Sequence, residues 1–151
     1  MGMGHVPQEP IRAEGARAQL QRSQRRGTSS RRSLSAARGQ RGEALVAQQY
    51  VAEGWVLVAR NFRSTRGELD VVAIKEGVLV VCEVKARTDL AMGHPFDSIT
   101  ANKQLRVRRA TADYLAHLRA TNPRLLASIR TVRFDAASVV GNEVERLADA
   151  F

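Results

Sequence analysis

Gly67-Glu68-Leu69-Asp70-Val71-Val72-Ala73-Ile74-Lys75-Glu76-Gly77-Val78-Leu79-Val80-Val81-Cys82-Glu83-Val84-Lys85-Ala86-Arg87 is the stretch that decides the fold. Two β-branched runs, 69–74 and 78–84, flank the short turn Lys75-Glu76-Gly77, which reads as a hairpin of two buried strands. Asp70 lies near the start of the first strand, and Glu83 and Lys85 near the end of the second. An antiparallel hairpin brings those two ends together. Alternation of side chains then puts Glu83 and Lys85 on one face, and Glu68 and Asp70 on one face. Converging carboxylates repel and lose hydration unless a cation neutralises them. A hard divalent ion with oxygen ligands, Mg²⁺ or Mn²⁺, meets that need. Most strand charges are simply solvated ion pairs. Here they interrupt the two most apolar runs of the chain at one predicted end, which points to a site.

Outward from the hairpin, the pattern predicts a helix over 42–52, with Ala44, Ala47 and Val51 at helical spacing and Gly54 just past its end. Glu43 sits in its first turn, four residues before Ala47 and seven before Tyr50, at the border of the packed face. A carboxylate there is favoured by the helix dipole alone. Residues 55–61 read as the first strand and 62–66 as a polar turn. Residues 87–99 form a loop carrying Gly93, His94 and Pro95; with no second histidine or cysteine at ligand spacing, His94 reads as a loop residue. Thr100 caps a second helix that runs to about 119 and stops before Asn122-Pro123. Arg109 and Asp113 form an i,i+4 pair on it. Residues 129–136 alternate, with Val132 and Phe134 toward the core and Arg133 and Asp135 away from it, and Gly141-Asn142 turns into a short last strand. The order is helix, three strands, helix, strand, which is α/β with a mixed sheet flanked by helices.

The chain has 151 residues, enough for one domain, and a net charge of +9. The excess is concentrated at the start: residues 1–38 carry eight Arg and two Glu, whereas 39–151 carry sixteen basic and thirteen acidic residues. The division is therefore a basic Arg/Ser-rich tail, 1–38, read as disordered because it has few large apolar residues, and a domain over 39–151. A start placed too far upstream and a targeting presequence are the other readings of that tail. The domain is only mildly basic, so nucleic-acid binding must rest on where its charges sit. Cys82, the one cysteine, falls inside a buried strand and suits a reducing cytoplasm. No run reaches the roughly 18 apolar residues of a membrane span, so no membrane partner is expected.

The spacing Asp70, twelve residues, Glu83-Val84-Lys85 resembles the D…(D/E)-x-K signature of the PD-(D/E)XK nuclease superfamily. The phrases Arg60-Asn61-Phe62-Arg63, Arg66-Gly67-Glu68-Leu69-Asp70-Val71-Val72-Ala73 and Val80-Val81-Cys82-Glu83-Val84-Lys85-Ala86-Arg87 resemble the YraN family, small bacterial proteins similar to archaeal Holliday-junction resolvases. The resemblance runs from about Gly39 to Phe151. It implies a restriction-endonuclease-like core and a metal-dependent endonuclease acting on DNA, including branched DNA. Asp70 and Glu83 would hold Mg²⁺ or Mn²⁺ with Glu43 and the Val84 carbonyl, Glu68 being a reserve ligand, and Lys85 would orient or deprotonate the attacking water. Lys103, Arg63, Arg66, Arg87 and Arg106 are the expected phosphate contacts. A resolvase also implies a two-fold homodimer. The rival readings are a nucleic-acid-binding module that keeps the fold without cutting, and an α/β interaction domain whose acidic cluster is incidental.

Overall fold

The structure is a computed structural model in which residues 13–89 and 93–151 are described, with side chains from residue 27 onward. Its elements run α1 (Ala13–Ala52), β1 (Val56–Ser64), β2 (Gly67–Lys75), β3 (Val78–Arg87), α2 (Ala101–Thr121), α3 (Pro123–Ser128), β4 (Thr131–Val140) and β5 (Glu143–Leu147). The strands form one mixed sheet in the order β1-β2-β3-β4-β5, antiparallel except for the parallel pair β3 and β4. That pair is joined through α2, because parallel neighbours need a crossover. The predicted α/β layout is present, with α3 as an extra element. Asn122 explains α3: it ends α2, its side chain accepts from the Leu125 amide, and Pro123 opens the new helix. Among the described residues no helix is long and apolar enough to cross a membrane.

Two compact units divide between Ala36 and Ala37. The expectation of disorder over 1–38 needs correction over the described part, because residues from Ala13 onward belong to α1. This stretch is rich in Ala, Arg and Gln and has no Pro, so propensity summed over its length favours a helix without any burial. Its side chains from Gly27 to Arg38 are exposed. Residues 1–12 lie outside the described residues.

Within Ala37–Phe151 the sheet is covered on both faces. Val46, Ala47 and Tyr50 of α1 pack on Val71, Ala73, Val80 and Cys82. Val107, Ala110, Tyr114 and Leu118 of α2 pack on Leu69, Val72, Leu79 and Val81. Covering both faces is what makes β2 and β3 near-continuous apolar runs. It also corrects the expectation for Asp135, which points away from the Phe134 layer but into the α1 layer and is 2% exposed. Asp113 pairs with Arg66 across to the β1/β2 turn, in place of the expected Arg109.

The hairpin turn is as tight as a two-residue loop allows. Glu76 and Gly77 both have positive φ, 49° and 79°, the mirror-image turn whose twist matches that of the strands. At the other end, Gly67 lets β2 begin directly against α2. A Cβ there would lie 2.9 Å from the Arg106 carbonyl oxygen and 3.3 Å from the Ala110 Cβ. Gly67→Ala is expected to destabilise the fold by roughly 1–3 kcal/mol, the usual effect of overpacking. Denaturant melts check this; unchanged stability would mean that α2 shifts freely on the sheet.

Candidate active site

The pairing of β2 with β3 ends at Val71 opposite Cys82, yet both strands continue. β2 runs back to Gly67 along β1, and β3 runs on to Arg87 along β4. The sheet therefore forks. Leu69 and Val72 pack in the α2 layer while Val71 packs in the α1 layer, so side-chain alternation breaks at Asp70. The Asp70 carboxylate fills the opening: its Oδ2 accepts the Val84 amide at 2.8 Å, in place of a β2 carbonyl. The strand ends lie at the same end of the sheet, as the hairpin pattern predicts, but they part there and the Asp70 side chain spans the gap.

Glu83 sits in the same fork, 8% exposed. Its Oε1 receives the Lys103 ammonium of α2 at 2.7 Å, and its Oε2 is buried without a hydrogen-bond partner. Glu43 of α1 approaches from the other layer, and its Oε2 is likewise buried and unpartnered. Burial raises the Glu43 pKa; the hydrogen-bonding Asn61 side chain and the charge of Arg60 oppose this, and Glu68 and Glu83 add to it. Asp70 is pushed up to about 7, first by burial, then by the charge of Glu83, with Glu43 adding; the Val84 amide and Lys103 pull the other way. Four carboxylates thus feel one another, and neighbouring protein cations offset only part of the repulsion.

Asn61 is the member of this cluster that spacing alone does not reveal. It holds Glu43 from a left-handed backbone, φ 50°, within β1. The only sequence signal is an Asn, the residue most tolerant of that conformation, inside a strand.

Glu83 and Lys85 both line a cavity of about 330 Å³, closed by Phe96, Thr100, Lys103 and Arg106. Lys85 is exposed at this cavity and makes no ion pair among the described residues. The loop before α2 forms part of the wall; its residues 90–92 lie outside the described residues. Of the expected phosphate contacts, Arg106 lines the cavity and Lys103 faces Glu83. Arg63 pairs with Glu68 at 3.2 Å, which occupies the reserve ligand at an exposed position. Arg66 is bound to Asp113, and Arg87 donates to the carbonyls of His94 and Pro95 at 3.2 and 2.8 Å.

Among the described residues, no three His, Cys, Asp or Glu side chains form a ready cage for a metal ion. The fit is of another kind. Mg²⁺ takes one or two carboxylates and completes its shell with water and substrate phosphate. The buried, unpartnered oxygens of Glu43 and Glu83 beside Asp70 are donors of that class.

Residues 42–139 match the sequence profile described as Uncharacterised protein family UPF0102. The chain belongs to this family. A UPF0102 protein of Acidothermus cellulolyticus is 36% identical over 133 residues, covering 83% of this chain and 98% of that protein. UPF0102 proteins of Chlorobaculum tepidum and Paenarthrobacter aurescens are 38% and 39% identical, over 71% and 70% of this chain and 78% and 82% of theirs. The UPF0102 match contains Glu43, Asp70, Glu83, Lys85 and Lys103, and begins beyond the N-terminal unit.

Proposed function

We propose that the protein hydrolyses DNA phosphodiesters with Mg²⁺ or Mn²⁺ held by Asp70 and Glu83 and supported by Glu43. The observation that carries this reading is the forked sheet. It gathers three carboxylates, leaves two buried oxygens without partners, and sets a lysine at the adjoining cavity. A bound divalent ion supplies a lowered water pKa and neutralises charge on the phosphate oxygens. Lys85 hydrogen-bonds the attacking water and sets a fixed positive charge beside the phosphate. The Val84 amide holds Asp70 in the orientation that faces the fork, and Asn61 does the same for Glu43. Phe96 lines the cavity on the loop side.

One observation favours a second reading, a module that binds nucleic acid without cutting it: Lys103 already neutralises Glu83 at 2.7 Å. Cleavage separates the two. Labelled duplex, single-stranded, flap and four-way-junction DNA are incubated with Mg²⁺ or Mn²⁺ and the native chain or Lys85→Ala. The expected result is metal-dependent cutting that falls about 10²–10³-fold in Lys85→Ala, the effect of removing one preorganised charge donor. Binding of these DNAs with no cutting of any selects the binding module. Resemblance to resolvases favours the four-way junction, whose symmetric cutting needs a two-fold dimer; the mass in solution tests that part.

A further inference from the structure

We infer that Lys103 is an internal counter-ion of Glu83 that a divalent ion must displace to occupy the fork, and that the displaced ammonium is left free at the wall of the adjoining cavity; this rests on the reading that the fork holds a metal ion. Lys103 reaches Glu83 from the first turn of α2, with its ammonium 2.7 Å from Oε1. Among the described residues this is the one ion pair made by Glu43, Asp70 or Glu83. Its charge is felt at Asp70 too, whose pKa it pulls down against burial. On local grounds the position suits a lysine poorly. The first turn of a helix is the positive end of its dipole, and α2 has no acidic residue there to offset it. The carboxylate facing it is what favours a cation at this place.

The pair is built so that one partner can leave. Only one Glu83 oxygen is taken, and Oε2 is buried without a partner. An arginine would grip both oxygens with its planar fork, whereas lysine is a point charge on a flexible stem. The two side chains also differ in their access to water, Glu83 being 9% exposed and Lys103 42%. A carboxylate so buried needs a cation at all times, while the ammonium can leave it and be hydrated. A divalent ion shared by Glu83 and Asp70 would meet the ammonium on one carboxylate, where little water screens the two positive charges, so the singly charged, better hydrated partner gives way. Lys103 then has a place to go. It lines the cavity of about 330 Å³ together with Lys85 and Arg106. Its backbone amide is held by the Thr100 hydroxyl at 3.3 Å, so the exchange turns a side chain and leaves α2 where it is.

The test titrates the full chain with Mn²⁺ in the absence of DNA and follows the unbound ion by electron paramagnetic resonance. Lys103→Met removes the ammonium and keeps an unbranched side chain that helices tolerate well. It is expected to bind Mn²⁺ about 10–100-fold more tightly than the native chain, the worth of one hydrogen bond to a charged group. Arg106→Met removes the same charge from the same cavity but breaks no ion pair with Glu83, and should stay within a few-fold of native. A second arm needs no variant. The native chain is acetylated at its amines with and without Mn²⁺, and each site is read by mass spectrometry. The chain has three lysines, Lys75, Lys85 and Lys103, and Lys75, which donates to the Glu53 carbonyl at 2.7 Å, is the internal reference. Mn²⁺ should raise the labelling of Lys103 relative to Lys75 several-fold. Equal or weaker Mn²⁺ binding by Lys103→Met, an equal gain in Arg106→Met, or Lys103 labelling that Mn²⁺ leaves unchanged overturns the inference while the fork remains a metal site. No Mn²⁺ bound by the native chain or by Lys103→Met overturns the metal reading and the inference with it. Mn²⁺ binding that releases Lys103 in a chain that never cuts DNA keeps the exchange and loses the nuclease.

Discussion

Asp70→Asn is expected to lower the cleavage rate on the order of 10³-fold, since a metal-held charge is worth several kcal/mol and each 1.36 kcal/mol is tenfold. The same substitution should make the metal-free protein more stable at neutral pH. Both effects follow from one geometry. Asn keeps the shape and an oxygen that accepts the Val84 amide, so the fork is preserved and only the charge is lost. The native carboxyl is raised to about 7, against roughly 4 for an unfolded chain. Between those values the folded state binds the proton and the unfolded state does not. The contribution of Asp70 to stability is therefore fully present below about pH 4 and is lost as pH rises through about 7. Melting in chelator should show Asp70→Asn above the native protein near pH 8 and level with it near pH 4. Added Mg²⁺ should raise the melting temperature of the native protein and not of the variant, because a ligand stabilises only the state that binds it. Undiminished cutting, or an equal Mg²⁺ shift in both, would remove Asp70 from the site.

The hairpin could be read from the sequence because its two apolar runs and its turn are local signals, and the meeting of Asp70 with Glu83 follows from antiparallel geometry alone. The position of Glu43 was also legible, two helical turns before Tyr50 and at the border of the packed face. The fork was not. It depends on where the ladder between β2 and β3 stops, and Leu69 to Cys82 read equally well as strands paired to their ends. Once alternation breaks at Asp70, Glu68 is no longer placed by it, and the structure gives Glu68 to Arg63 instead. The pairings of Lys103 with Glu83 and Arg66 with Asp113 join elements distant in the chain, so no helical or strand period announces them. The N-terminal part of α1 was obscured for another reason: scarcity of apolar residues argues against a core, and a helix of high propensity needs none.

Asp135→Ala is expected to lower stability by about 3–5 kcal/mol, the range for breaking a buried charge pair from one side. Asp135 is 2% exposed in the α1 layer, and its partners come from α1, from its own strand and from the segment after β5. Its Oδ2 accepts the Tyr50 hydroxyl of α1 at 2.7 Å, and both its oxygens take the Arg133 guanidinium at 2.8 Å. The Asp149 amide, after β5, donates to Oδ1 at 3.0 Å. Arg146 lies over the Tyr50 ring, 4.1 Å from its centre, and closes this layer. Removing the carboxylate leaves the buried Tyr50 hydroxyl and the Asp149 amide without their acceptor and the half-buried Arg133 guanidinium without its counter-charge, which costs more than any single bond returns. A chain of this size loses about 2–4 °C per kcal/mol, so the melting temperature should fall by roughly 6–20 °C. Tyr50→Phe, which deletes one donor and leaves the carboxylate its others, should cost only about 1–2 kcal/mol. The Asp135 side chain binds none of the fork's carboxylates and does not line its cavity, so cleavage per folded molecule should stay within a few-fold of native below the lowered melting point. Native-like stability in Asp135→Ala would mean that water reaches this network; a loss of cutting in the fully folded variant would mean that the clamp on Tyr50 sets the placement of Glu43, two turns earlier on the same helix.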